Sequence, residues 1–308
     1  MGLDELDRAL VRELQVNARQ TTRSLAATLG VSATTVSNRV RGMMNDGVIT
    51  FCAYVDPATL GFQVRVLLGL EIAPGKSADV AENLLRSKNV QTLSATTGRY
   101  DILVYALFHD NQELLNWITD ELGSTRGVIS VEEMTILKAV KTLYGYLRGE
   151  RGVQEDIMPQ SLDESALRLI KELEMNPTES ISDLGKKTGM NRWMTARKLR
   201  TLLDEKVLKV VTIVDPRALG LSVCAFIFAR AQIDKIIPVA QTIAADKRVT
   251  QVSIVTGRFN ILVYAAFPDM EDLHRFLIDD LGHISGVNDY ETMMQVGRPH
   301  AFHHLMGS

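Results

Sequence analysis

The chain has 308 residues, 46% of them hydrophobic and 23% charged, with a formal net charge of −3. That is enough apolar side chain to fill the cores of about two to four ordinary domains, and too little net charge for a disordered chain. The longest apolar stretches, such as Ile102–Phe108 and Val223–Ala229, fall far below the roughly 18–20 residues of a membrane-spanning helix.

The first ten residues, MGLDELDRAL, are acidic where a signal peptide is basic and then apolar. Cys52 and Cys224 form neither a disulfide framework nor a CxxC motif and read as core residues. A cytoplasmic protein without a membrane partner is expected.

In chain order, Leu6, Leu10 and Leu14 mark one face of a first helix over Leu3–Val16. A second helix, Thr22–Leu29, stops at Gly30. A third starts at the N-cap Ser32 and runs to about Met44, with Val36, Val40, Met43 and Met44 on its buried side. The pattern then turns to β, with strands at Val64–Ile72, Val90–Thr97, Ile102–Phe108 and Val128–Leu137. Helices at Ser77–Lys88 and Asn111–Leu122 separate them, in the βαββαβ order of a ferredoxin-like split motif.

A polar stretch at 149–161, holding Pro159, reads as a linker. Beyond it everything recurs. Leu3-Asp4-Glu5 returns at 162–164, VDPATLG (55–61) as VDPRALG (214–220), and TGRYDILVYA (97–106) as TGRFNILVYA (256–265). Asp120, Leu122 and Gly123 return as Asp279, Leu281 and Gly282, and every pair is offset by 159 residues.

One constant offset over four blocks predicts a tandem duplication. The fold class expected is α+β: two tandem copies of a winged/helix-turn-helix domain followed by a ferredoxin-like βαββαβ domain. The bounds are 1–50 and 51–148, the linker 149–161, then 162–209 and 210–308.

Three short helices around a glycine turn fit a helix-turn-helix. Local charge sharpens the reading. Basic residues outnumber acidic ones in 1–50 and 160–209, and the reverse holds in 51–148 and 210–308. Neither third helix, read as Ser32–Met44 and Asn191–Leu203, contains an acid, as a helix entering a groove lined by phosphate requires. The candidate DNA-binding residues are Ser32, Thr34, Thr35, Ser37, Asn38, Arg39 and Arg41 in the first copy, and Asn191, Arg192, Arg197, Lys198 and Arg200 in the second. The competing reading is a solvated helix face. Trp193 and Met194 replace Thr34 and Thr35, so the second reader is either degenerate or tuned to a different sequence.

These residues resemble the leucine-responsive and asparagine-responsive (Lrp/AsnC) family of regulators. The resemblance rests on LDELD at 3–7, VSATTVSNRVRGMMNDGVI at 31–49, VDPATLG at 55–61, TGRYDILVY at 97–105 and the Gly127-Val128 pair. It implies a transcription regulator whose ferredoxin-like domain assembles subunits and binds a small effector, often an amino acid. Two copies in one chain imply a covalent pseudodimer with a target of weak symmetry, and two or four such chains would associate through exposed sheet edges.

By that resemblance the effector pocket comprises Gly98, Arg99, Tyr100 and Asp101 and their counterparts Gly257, Arg258, Phe259 and Asn260. Asp101 is the expected partner of an ammonium group, and Asn260 lacks that charge. Glu133 and Thr292 stand where the family carries a threonine. The partners expected are double-stranded DNA and an amino-acid effector.

No cofactor and no metal site are expected; the tail RPHAFHH at 298–304 fixes no ligand geometry. No nucleophile–base set, Walker loop or GxGxxG stands out, and His109 and His274 read as surface positions. Glu132 and Glu291 align between copies without an evident partner. The chain is therefore expected not to be an enzyme. The runner-up is a siroheme decarboxylase-like enzyme of haem biosynthesis, which shares this fold, and a ligand sensor without DNA binding is a third reading.

Overall fold

The computed structural model describes residues 3–142 and 162–300, with the side chain of His300 left out. The linker expected at 149–161, the C-terminal ends given to both ferredoxin-like domains, and His303 and His304 of the tail lie outside the described residues. The same succession of elements occurs twice, and the chain clusters into two compact units, each built from parts of both copies.

One unit holds both sets of three helices. In the first copy these are α1 (Glu5–Val16), α2 (Thr22–Leu29) and α3 (Ala33–Asn45); in the second, α6 (Glu164–Met175), α7 (Ile181–Thr188) and α8 (Arg192–Asp204). Each begins at a side chain able to take up an orphan amide. The Asp4 carboxylate accepts from the Asp7 amide at 2.8 Å, Ser32 from Thr35 at 3.0 Å, and Asn191 from Met194 at 2.9 Å. Gly30 and Gly189 end α2 and α7 in the left-handed conformation.

The strand after each helical trio does not join the ferredoxin-like sheet that follows it. Strand β1 (Ile49–Val55) pairs antiparallel with β6 (Leu208–Val214), making a two-stranded ribbon between the copies. The helical unit therefore extends to Thr59 and to Leu221, past the boundaries expected at 50 and 209. The ribbon also exchanges core residues. Val214, Ala218 and Leu219 of the second copy pack on Leu10, Leu14, Val36 and Ile49 of the first, and the Thr212 hydroxyl donates to the Leu14 carbonyl at 2.9 Å.

The other unit is an eight-stranded closed barrel. Strands β2 (Val64–Ile72), β3 (Val90–Thr97), β4 (Ile102–Phe108) and β5 (Val128–Lys141) lie in the order β3-β4-β2-β5. Their counterparts β7 (Val223–Ala231), β8 (Val249–Val255), β9 (Ile261–Phe267) and β10 (Val287–His300) follow as β8-β9-β7-β10. Pairing of β5 with β8 and of β10 with β3 closes the ring. Closure abolishes the sheet edges that were expected to drive association.

Sheet parity sorts the side chains. Leu67, Tyr100, Leu103, Met134, Phe228, Phe259, Leu262 and Met293 fill the barrel interior. The opposite faces pack on α4 (Ser77–Leu84) and α5 (Asn111–Asn116) in the first copy, and on α9 (Ile236–Ala244) and α10 (Met270–Arg275) in the second. Two expected helices are shorter than the sequence suggests. The first ends at Leu84, and the one from Asn111 passes at Trp117 into a π-helical turn that reaches Leu122. Among the described residues no helix is long and apolar enough to cross a membrane.

Candidate nucleic-acid interface and effector site

Helix α3 buries Val36 and Met43 against α1 and α2 and turns the opposite face outward. Ser32, Thr34, Asn38, Arg39 and Arg41 are exposed, and Thr35 and Ser37 half-buried. Thr34, Asn38 and Arg41 follow one another at intervals of four and three residues, so they share one stripe of the helix. On α8 the same stripe carries Trp193, Arg197 and Arg200, with Asn191 and Arg192 exposed beside it. Helix α8 runs one residue further than expected and ends on an acid, Asp204, at the end away from Trp193.

Two of the candidate cations are already engaged. Arg39 Nη1 lies 2.7 Å from the Asp4 carboxylate and 3.3 Å from that of Asp7, and its equivalent Lys198 donates to Asp163, the equivalent of Asp4. The pair ties the third helix to the cap of the first in both copies. The Asp7 amide first, and Arg39 beside it, hold the Asp4 carboxyl below its ordinary value. The Lys198 ammonium does the same for Asp163, strongly. Arg39 and Lys198 thus pin the helices, a role the sequence reading did not give them.

A further contact joins the two trios. Arg19, in the turn after α1, donates through Nη1 to the Pro177 carbonyl at 2.5 Å and through Nη2 to the Glu179 carbonyl at 2.7 Å, both in the corresponding turn of the second copy. Burial pulls this guanidinium below its ordinary pKa. Its counterpart is Thr178, so the clamp exists once.

In the barrel, the β3–β4 and β8–β9 hairpins turn at Gly98 and Gly257, whose φ of +114° and +109° suits glycine. Each tip leans on the last strand of the other copy. A Cβ at Gly98 would lie 3.4 Å from Met293, and one at Gly257 would lie 3.4 Å from Met134. Beside the tips stands a cluster of charges. Arg99 Nε donates to both carboxylate oxygens of Glu291, at 3.1 and 3.2 Å, and Arg258 Nη1 lies 3.6 Å from the same group. The bond to Glu291 raises the Arg99 pKa.

The Tyr100 hydroxyl donates to Glu132 at 2.5 Å, and burial, then that carboxylate, pushes the phenol up. Phe259 has no hydroxyl to offer. Glu291, the counterpart of Glu132, is met by arginines instead. The partners of these aligned glutamates, invisible in the sequence, are supplied by the hairpins.

Other expected pocket residues are placed differently. The Asp101 carboxylate accepts from the Ile72 amide at 2.7 Å, and Asn260 bridges both the amide and the carbonyl of Ala231 at 2.8 Å. Both stitch the hairpin base to the neighbouring strand, Asp101 through one oxygen of an exposed carboxylate. Glu133 and Thr292 follow the parity opposite to Glu132, Met134, Glu291 and Met293, and face away from the barrel interior. Glu133 accepts from the Thr135 hydroxyl at 2.9 Å, and the Thr292 hydroxyl is buried without a partner.

His109 is exposed, pairs with Glu113 at 2.8 Å and stacks on Phe62. Burial pushes the Cys52 thiol up to about 11, and Cys224 is buried. Among the described residues no group of three His, Cys, Asp or Glu side chains could hold a metal.

Two three-helix heads on a shared ribbon, with a barrel built from two ferredoxin-like halves, are the parts of a helix-turn-helix regulator fold. The AsnC-type helix-turn-helix model matches residues 3–44, and the Lrp/AsnC ligand binding domain model matches residues 65–145 and 224–300, half of the chain by itself. The chain belongs to the Lrp/AsnC family of transcriptional regulators.

It is 34% identical over 147 residues to an uncharacterised HTH-type transcriptional regulator of Pyrococcus furiosus, covering 47% of this chain and 98% of that protein. It is 32% identical over 142 residues to the regulator FL11 of Pyrococcus abyssi, covering 46% and 93%. At full length its fold is similar to the crystal structure of the siroheme decarboxylase NirDL, with a TM-score of 0.67, 15% identity, and coverage of 96% of this chain and 92% of that one. That likeness corrects the expectation that the chain is not an enzyme: a decarboxylase is built on the same two-copy fold, so the architecture gives no ground for excluding catalysis.

Proposed function

We propose that the chain is a cytoplasmic, sequence-specific DNA-binding regulator in which one polypeptide acts as a pseudodimer, with an amino acid as effector. The single observation that supports it best is the pair of exposed recognition stripes on α3 and α8, bearing Arg41, Arg197 and Arg200, in heads joined by the β1–β6 ribbon and Arg19. Ser32, Thr34, Thr35, Ser37 and Asn38 supply short polar groups for base edges in one half-site, and Asn191 and Arg192 face the other. Arg41 and Arg200 neutralise phosphates.

The effector end is assigned to the hairpin cluster of Arg99, Tyr100, Glu132, Arg258 and Glu291. Its two guanidiniums suit a ligand carboxylate, and its two carboxylates suit an ammonium. Gly98, Gly257 and Phe259 shape the wall. Asp101 and Asn260 hold the hairpins in place.

The test is affinity for random duplex DNA and for a selected duplex as salt rises, with and without each amino acid. A log–log slope proportional to the phosphates neutralised, and a shift of affinity by at least one amino acid, are expected. Flat salt dependence would overturn the DNA reading, and no response to any amino acid would overturn the effector reading. Association into two or four chains is proposed through exposed helical side chains such as Ile233, Ile237 and Ile278, and light scattering counts the chains.

The full-length likeness to NirDL favours a second reading, a siroheme decarboxylase-like activity. Titration with an iron tetrapyrrole, followed by its absorbance and by loss of carboxylate, tests it.

A further inference from the structure

Trp193 and Met194 sit in the first turn of α8 with 67% and 48% of their surfaces exposed. Large apolar side chains left in water on a helix face mark a contact surface. The surrounding charge identifies what covers this one. The Arg197 guanidinium stacks over the Trp193 ring, 5.4 Å from its centre, and Arg192 and Arg200 flank the pair. Among the described residues no ion pair engages Arg192, Arg197 or Arg200, and Asp204 lies at the far end of the helix. An aromatic plate set among three uncompensated cations suits a polyanion better than an apolar protein face. In the major groove, the apolar feature such a plate can meet is the 5-methyl group of thymine.

The first copy differs at these positions. Ala33, Thr34, Thr35 and Asn38 stand where the second has Arg192, Trp193, Met194 and Arg197, whereas Arg41 and Arg200 correspond. The backbone-directed cation is kept and the base-directed residues are replaced. The caps also match, Ser32 accepting from the Thr35 amide and Asn191 from that of Met194, so both helices start in the same way.

We propose that α8 is a working reader of a second, different half-site, in which Trp193 packs on a thymine methyl group and Arg197, held by its stack on the indole, contacts the adjacent phosphate or base. The proposal rests on the DNA-binding reading above. The operator is then two unlike half-sites, and the chain binds it in one orientation.

The experiment starts from the duplex that the full-length chain selects from a random pool. Each thymine is replaced in turn by deoxyuridine, which removes only the methyl group. The wild-type chain should lose about fourfold in affinity at one thymine of one half-site, the worth of a buried methyl group. W193T, which restores the residue of the first copy, should lose that response while still binding in a salt-dependent way and keeping the melting temperature. W193F should keep part of the response.

Steep salt dependence with no Trp193-dependent thymine would overturn this inference and leave the DNA reading standing. Absence of salt-dependent binding would overturn both. If W193T changed the mass seen by light scattering and left sequence preference untouched, Trp193 would be a protein contact and the inference would fail.

Discussion

Arg39 and Arg41 lie two residues apart on one helix and look alike in sequence, yet their surroundings differ. Arg39 is spent on Asp4 and Asp7, and Arg41 points from the exposed stripe. R41A should therefore weaken binding to all duplexes and flatten the salt slope by about one unit. R39A should act mainly through the fold, lowering stability only slightly, as expected of a solvent-screened pair. Thermal melting and salt titration of both variants check the split. Equal flattening of the slope by R39A would return Arg39 to the DNA face.

The same pairs confer an acid response. Asp4 and Asp163 have folded pKa values below the ordinary 3.8. Their contribution is present above that value and is lost as pH falls toward the folded one. D163N keeps an N-cap and loses the ion pair, so the fall in its urea midpoint between pH 5 and pH 2 should be shallower than that of the wild type. An unchanged pH profile would show that the Lys198 pair adds no stability.

The helices were legible because their signals are local: Asp4, Ser32 and Asn191 are caps, Gly30 and Gly189 are stops, and Leu10 and Leu14 recur at helical spacing. Strand partners were not. Residues 49–55 pair with residues 208–214, and no spacing rule announces that the segment leaves its own ferredoxin-like sheet for a ribbon with the other copy. Arg19 was unreadable for the same reason, since its acceptors are backbone carbonyls, which carry no residue signature.

At this scale the clamp makes a prediction. Arg19 ties the turns of the two heads together, and its contribution should appear only when both touch DNA. R19A should lower affinity for a duplex with both half-sites by about tenfold, the worth of a charge-assisted hydrogen bond, and leave a single half-site unchanged. R19K keeps the charge without the fork and should behave like R19A. A uniform loss on both duplexes in gel-shift titrations would make Arg19 a phosphate contact instead.

The whole molecule is less a tandem array than an interleaved pair, because both units draw strands from both copies. The repeat at a constant offset announced two equivalent chains of elements, and their equivalence holds strand by strand. It could not announce that the two sheets close on each other, since closure depends on which edges meet, and the pleat of β5 and β10 decides it. That pleat also separates Glu132 and Glu291 from Glu133 and Thr292, so a pocket copied position by position from a resemblance mixes two faces of the sheet.

Closure has a consequence for stability. Phe228 is fully buried, with ring centres 6.4 Å from Tyr100 of the first copy and 6.1 Å from Phe259 of the second. Removing it opens a cavity lined by both copies, at a cost of about 3–5 kcal/mol. The cost should be felt in both halves at once. Trp117, buried in the helical layer of the first copy, reports on that half by fluorescence once Trp193 is replaced by Phe. F228A in that background should lower the denaturation midpoint reported by Trp117 as much as the one reported by far-ultraviolet circular dichroism. A Trp117 transition that stayed in place while the dichroism shifted would mean that the halves unfold separately, and that the ring of eight strands is not one cooperative structure.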